Sequence, residues 1–246
     1  LDCALGSAGF MRASLAEAVH HTRHRTAFQK KLIDQPAMVR VLADMALDVA
    51  AATALAFRLA RAFDEAAASR REAAWARLMT PVTKYWVSKL APALVHEALE
   101  CLGGNGYVED GHLARHYREA PVNAIWEGSG NVMALDLLRV LRRSPDLFEE
   151  VLAGIGHDLG QGAEGTLTVL RAARDVAVND EGSARFLTEQ LALAAAAAEL
   201  RRLGAGRIAD AFFETRLGGQ WRATYGMLGA RHDARSIVDT LCPDMG

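Results

Sequence analysis

From Met38 to Phe63, apolar residues recur at alternating steps of four and three: Met38, Leu42, Met45, Val49, Ala52, Ala56, Leu59 and Phe63. That period is the seam of a long helix packed against other helices, about 40 Å long at 1.5 Å per residue. The same residues cannot serve a sheet, where side chains alternate with period two. Pro36 suits the first turn of this helix, where a missing N–H costs nothing. After a break at Ser69-Arg70-Arg71, a second stripe runs through Trp75, Leu78, Val82, Trp86, Leu90, Leu94 and Ala98. Pro81 and Pro92 fall inside it, which predicts a kink or a break at one of them. Leu102-Gly103-Gly104-Asn105-Gly106-Tyr107 ends this helix, with glycine where C-terminal caps favour it.

Other segments are consistent with helices around these two. Residues from about Ser7 to Arg25 carry a broken stripe of Phe10, Leu15, Ala18 and Val19. Arg25 to Leu32 reads as a polar connection with two buriable side chains, Phe28 and Leu32. Leu113 to Glu119 predicts a short helix, and Asn131 to Arg143 an amphipathic one that stops at Ser144-Pro145. From Asp146 onward the helices shorten, and Leu191 to Leu203 is nearly all alanine and leucine. Glycine punctuation recurs at Gly160-Gln161-Gly162, Gly204-Ala205-Gly206 and Gly218-Gly219. No segment alternates with period two for long, and no hairpin signal stands out. The expectation is an all-α chain: an antiparallel four-helix-bundle-like domain over residues 1–143, then a helical extension over 144–246.

Composition narrows the function classes. The formal net charge is -2 over 246 residues, so the whole chain has no electrostatic bias toward nucleic acid. Residues 144–246 carry ten Arg and no Lys against fifteen Asp and Glu, a net of -5, while residues 1–143 carry +3. Cys3, Cys101 and Cys242 are odd in number and unpaired in spacing, as expected of reduced thiols in a cytoplasmic protein. Nothing resembles a signal peptide, and no run of about 18 or more apolar residues would span a membrane. The chain opens at Leu1 inside what reads as structured sequence, the expectation for a fragment.

Chemistry concentrates in Pro121-Val122-Asn123-Ala124-Ile125-Trp126-Glu127-Gly128-Ser129-Gly130-Asn131. Glu127 stands between an aromatic–apolar run and a Gly-Ser-Gly turn that opens a helix. Partial desolvation beside Ile125 and Trp126 would make it a general base. An acid near a helix N-terminus also simply complements the helix dipole. Gly103-Gly104-Asn105-Gly106 exposes backbone N–H groups that suit a phosphate, or it is only a helix-ending turn. His20, His21 and His24 have helical ligand spacing, but Arg23 and Arg25 crowd them with positive charge, so no metal site is expected.

Arg25-Thr26-Ala27-Phe28, Leu102-Gly103-Gly104-Asn105-Gly106-Tyr107 and Ile125-Trp126-Glu127-Gly128-Ser129, in this order around two long helices, resemble the C-terminal helical domain of the flavin-dependent acyl-CoA dehydrogenases. The likeness covers roughly residues 1–143. Asp2-Cys3-Ala4-Leu5-Gly6-Ser7, Leu32-Ile33-Asp34-Gln35-Pro36 and Pro121-Val122-Asn123 look most like the AidB, or alkylation-response, branch, whose members carry an additional helical region.

The resemblance implies FAD as cofactor and an acyl-CoA as substrate. It matches Glu127 to the base that removes the α-proton, and Gly128 to the residue beside the substrate carbonyl. Ile125, Trp126, Ser129 and Asn131 match flavin-contacting positions, and Gln35 is carried with them. Arg25 and Phe28 match residues that hold the ADP portion of a neighbouring subunit's flavin, which Gly103 and Gly104 also approach. Such sharing implies a homodimer or homotetramer, with electron-transfer flavoprotein as an electron-accepting partner. The AidB likeness adds double-stranded DNA as an alternative partner, against which the charge of the extension speaks. Gln29 departs from the family's glycine after the Phe, and Glu100 from its flavin-contacting glutamine.

Overall fold

The first stripe lies on a single helix, α2 (Pro36–Glu65), with Pro36 in its first turn as expected. Leu42, Met45, Val49, Ala52, Ala56 and Leu59 are fully buried, while Phe63 at the far end stays partly exposed. The second stripe lies on α3 (Arg70–Leu102). The computed structural model describes residues 1–218 and 231–243; Gly219 of the last glycine pair falls outside them. Among the described residues the remaining helices are α1 (Asp2–His24), α4 (Gly104–Tyr107), α5 (Leu113–Glu119), α6 (Gly130–Arg143), α7 (Asp146–Leu159), α8 (Ala163–Asn179), α9 (Ala184–Arg202), α10 (Gly206–Arg216) and α11 (Ala234–Leu241). Among the described residues the fold is all-α apart from one ribbon of two two-residue strands.

The turn between α2 and α3 explains their antiparallel docking. Ser69 caps α3 by accepting from the Glu72 N–H at 3.3 Å. The Glu72 carboxylate then takes two hydrogen bonds from buried Arg58, about two turns from the end of α2, at 2.6 and 3.0 Å. The Arg58 guanidinium lies over the Trp75 ring, 4.1 Å from its centroid. One residue set therefore caps α3, pairs a buried cation and packs two helices.

Three expectations need correction. First, of the kink or break expected at Pro81 or Pro92, the break does not occur: α3 runs unbroken through both. A proline inside a helix costs about 3 kcal/mol, but α3 is packed by α1, α2, α6, α7 and α9 along its length. Burial of that much apolar surface holds the helical path. Second, α1 begins at Asp2, not near Ser7, because Cys3, Ala4 and Ala8 continue its buried face. Gly6, Ser7 and Gly9 dilute the pattern in the sequence. Third, the connection after α1 is a small hairpin. Strand β1 (Thr26–Ala27) pairs antiparallel with β2 (Lys30–Lys31), Thr26 opposite Lys31. Phe28 and Gln29 at its tip both have positive φ, 52° and 64°. That is the geometry of a two-residue I′ turn, normally signalled by Asn-Gly. Phe-Gln gives no such signal, and Phe28 is 91% exposed, not buried.

The extension is woven into the bundle. Helix α9 contacts α2, α3, α6, α7, α8 and α10. From Leu191 to Leu200 every residue is buried, as expected of a helix enclosed on all sides. Its alanines let neighbouring helices come close, which longer side chains would prevent. Helix α11 lies against α2, with Arg23 of α1 bonded to Asp239 at 2.8 Å. Most telling is Arg216 at the end of α10. Its Nη2 reaches Asp44 Oδ1 at 2.7 Å and Asp48 Oδ1 at 2.9 Å, and all three side chains are at most 3% exposed. Removing this cation while both buried carboxylates stay should destabilise the protein by about 3–5 kcal/mol. Urea denaturation of Arg216→Met is the check; a loss under about 1 kcal/mol would mean that the ion cluster does not hold the extension down.

Candidate active site

The turn that carries Glu127 is assembled from three elements. A 3₁₀ turn over Ala120–Ala124 leads into it, and α6 begins at Gly130 just beyond it. Asn123, buried, accepts from the Trp126 indole N–H at 3.1 Å. Glu127 itself has φ 55°, and Gly128 has φ 113°. A left-handed conformation at a non-glycine residue is unfavourable by about 1–2 kcal/mol, so something must hold it. Gly128 is required: a Cβ there would come within 2.4 Å of Met133 Cε, in a backbone region that L-residues rarely adopt.

Lys84 is what holds the turn. Its buried ammonium donates to the Trp126 carbonyl at 2.6 Å and to the Gly128 carbonyl as well, straddling Glu127 from both sides. Burial pushes this ammonium below the ordinary lysine range, against the opposing attraction of Cys3 and Glu127. On the other side, Cys3 Sγ donates to Glu127 Oε2 at 3.2 Å. Burial and the neighbouring Glu127 carboxylate push the Cys3 thiol up, so it serves as a donor and not as a nucleophile. The apolar enclosure expected of Ile125 and Trp126 is absent from this chain. Both are more than half exposed, and Glu127 is exposed as well.

The other expected residues fall into two groups. Gly128, Ser129 and Asn131 sit beside Glu127 at the start of α6, and Ser129 and Asn131 are exposed. The Ser129 side chain makes no cap bond within the helix, so it and the first N–H groups of α6 stay available. Arg25 and Phe28 lie at the opposite end of α1, roughly 30 Å from Cys3 at 1.5 Å per residue. Gln35 braces that hairpin by donating to the Ala27 carbonyl at 3.3 Å. Gly103, φ 59°, and Gly104 cap α3, with open space where a Cβ would stand. Gly103 and Glu100 line a groove of about 970 Å³ with His96, Tyr107, Tyr117 and Arg118. One chain therefore does not bring Arg25 and Phe28 to Glu127.

Lys84, Cys3 and Asn123 were not identified as site residues by sequence reasoning. A lysine inside the second stripe, between Val82 and Trp86, is the signal available for the first.

The fold is a helical bundle that presents an acidic residue on a clamped turn, and residues 1–142 match the model of the acyl-CoA dehydrogenase C-terminal domain. The chain belongs to the acyl-CoA dehydrogenase family. It is 41% identical to AidB of Escherichia coli (strain K12) over 216 residues, 88% of this chain and 40% of that protein. That match extends past residue 142 into the extension. Acyl-CoA dehydrogenase family member 11 of Caenorhabditis elegans is 35% identical over 161 residues, covering 64% of this chain and 25% of that protein. The crystal structure of C. elegans ACDH-11 in complex with C11-CoA superposes with a TM-score of 0.74, covering 98% of this chain and 42% of that one, at 26% identity. The chain thus spans two fifths or less of the length of these curated relatives. No helix among the described residues is long and apolar enough to cross a membrane.

Lys84→Met keeps the stem of the side chain and deletes the donor shared by two carbonyls. A loss of about 2–4 kcal/mol is expected, at about 1–3 per orphaned group partly relieved by water. Chemical denaturation reads it, and an unchanged midpoint would refute the clamp.

Proposed function

We propose that this chain is the C-terminal part of an FAD-dependent acyl-CoA dehydrogenase-like protein in which Glu127 is the catalytic base. The observation that carries the reading is the Lys84 clamp. A buried cation fixes both carbonyls flanking Glu127 and keeps its backbone in a left-handed state, which a mere helix-dipole acid does not need. The α-proton of a thioester is weakly acidic, so its removal needs a base at a set position. Glu127 would take that proton on a carboxylate oxygen, with Cys3 donating to Oε2 and steadying the side chain.

The residues present fit an FAD. Ser129, Asn131 and the open N–H groups of α6 would meet it near Glu127, with Ile125 and Trp126 offering exposed apolar surface. At the other end, Arg25 makes no ion pair among the described residues, Phe28 is almost wholly exposed, and Gly103 and Gly104 leave open space. These would hold the ADP portion of a flavin bound by a second subunit. The roughly 30 Å between the two groups supports a homodimer or homotetramer, since one subunit cannot use both on one flavin. When bound, FAD would supply the hydride acceptor for the β-hydrogen, with electron-transfer flavoprotein as onward partner. The family model's end at residue 142 supports a boundary near 143, with 144–246 as an AidB-like extension. Three free cysteines suit a cytoplasmic setting.

A double-stranded DNA role for the extension finds less support. Many of its arginines among the described residues are spent on carboxylates: Arg171 and Arg174 on Glu149, Arg202 on Glu199, Arg207 on Asp233, Arg216 on Asp44 and Asp48. Phosphate binding needs free, clustered cations.

In the protein at its full native length, Glu127→Gln should retain bound flavin yet bleach with acyl-CoA about 10²–10⁴-fold more slowly than wild type. Stopped-flow absorbance follows it; equal bleaching rates would remove Glu127 from the role, and a protein that binds no FAD would remove the flavoprotein reading.

A further inference from the structure

A cleft of about 460 Å³ opens where α1, α2, α9 and α11 converge. That volume lies within the ~300–1,000 Å³ of small-molecule sites. Four guanidiniums line it: Arg12, Arg58, Arg61 and Arg202. Arg58 is neutralised by Glu72, and Arg202 by Glu199, in two-bond contacts. Arg12 and Arg61 have no ion-pair or hydrogen-bond partner among the described residues. Four cations therefore meet two carboxylates, an excess of two positive charges in a chain that is net negative. Field lines from such an excess concentrate in a concave, low-dielectric wall.

Apart from Thr53 and Glu199, the rest of the lining is apolar. Ala50, Ala54, Leu200 and Leu241 form the walls, and Phe57 and Leu203 stand on the rim, each more than half exposed. Large apolar side chains left exposed beside unpaired cations are costly for a bare surface and useful for a ligand that has both characters. We propose that this cleft binds an amphipathic anion, a carboxylate or phosphate monoester on an alkyl chain, with its head on Arg12 and Arg61 and its tail against Phe57, Leu203 and Leu241. The site is separate from the Glu127 turn and shares no residue with it. Because α1 and α2 meet α9 and α11 there, an occupant would also tie the extension to the bundle.

Isothermal titration of the protein at its full native length with decanoate, decyl phosphate, 1-decanol and inorganic phosphate separates the contributions. Saturable binding of an amphiphile, at least tenfold tighter than decanol or inorganic phosphate, is expected. Preference for decanoate identifies a fatty-acid type of ligand, and preference for decyl phosphate a phosphorylated one. Arg12→Met with Arg61→Met should weaken the preferred amphiphile tenfold or more with an unchanged unfolding midpoint, since neither arginine holds an ion pair. Should that variant fail to fold, Phe57→Asp places a carboxylate at the exposed mouth and should abolish binding. Decanol binding as tightly as both anions, affinity unaltered in these variants, or no saturable amphiphile binding would each overturn the proposal.

Discussion

Two carboxylates buried one turn apart on α2 set the terms for the whole chain. Asp44 and Asp48 are like charges on adjacent turns of a helix that is otherwise a hydrophobic seam. Burying them requires a cation, and Arg216 arrives from more than 160 residues away to touch both. To deliver it, α10 must lie on α2, and α9 must come first, threaded between α2, α3 and α6. An extension that could have been a loosely tethered module is therefore part of the core. The alanine run of α9 is the steric half of this constraint and Arg216 the electrostatic half.

The Glu127 turn follows the same logic on a smaller scale. A buried cation from the middle of α3 reaches two backbone carbonyls and stabilises a conformation that the local sequence disfavours. In both places, the helices supply rigidity and a buried cation sets a precise local arrangement. Enclosure is the part that this chain does not provide: Glu127, Ile125 and Trp126 face outward.

Much of this was legible from the residues. The stripe from Met38 to Leu59 and the second from Trp75 to Ala98 place α2 and α3, because helical burial leaves a period that no loop reproduces. The short α5 and the amphipathic α6 were equally readable. Illegible were features made by distant partners. The Phe28-Gln29 turn lacks turn residues and is held by the strands and by Gln35. Pro81 and Pro92 read as breakers because propensity is local, while the packing that overrides it comes from five other helices. The basic cleft brings Arg12, Arg58, Arg61 and Arg202 together from three helices, with nothing in their spacing to announce it.

The sequence by itself determined the all-α class, the two long helices and the position of the acidic turn. Each of these rests on interactions within a few residues: helical periodicity, a capping serine, a glycine that tolerates positive φ. Tertiary structure alone decided which lysine clamps Glu127, which arginine reaches both Asp44 and Asp48, and where unpaired charge collects. Those are contacts between residues tens to more than a hundred positions apart, and their energy depends on distance and burial, quantities that exist only once the chain has closed on itself.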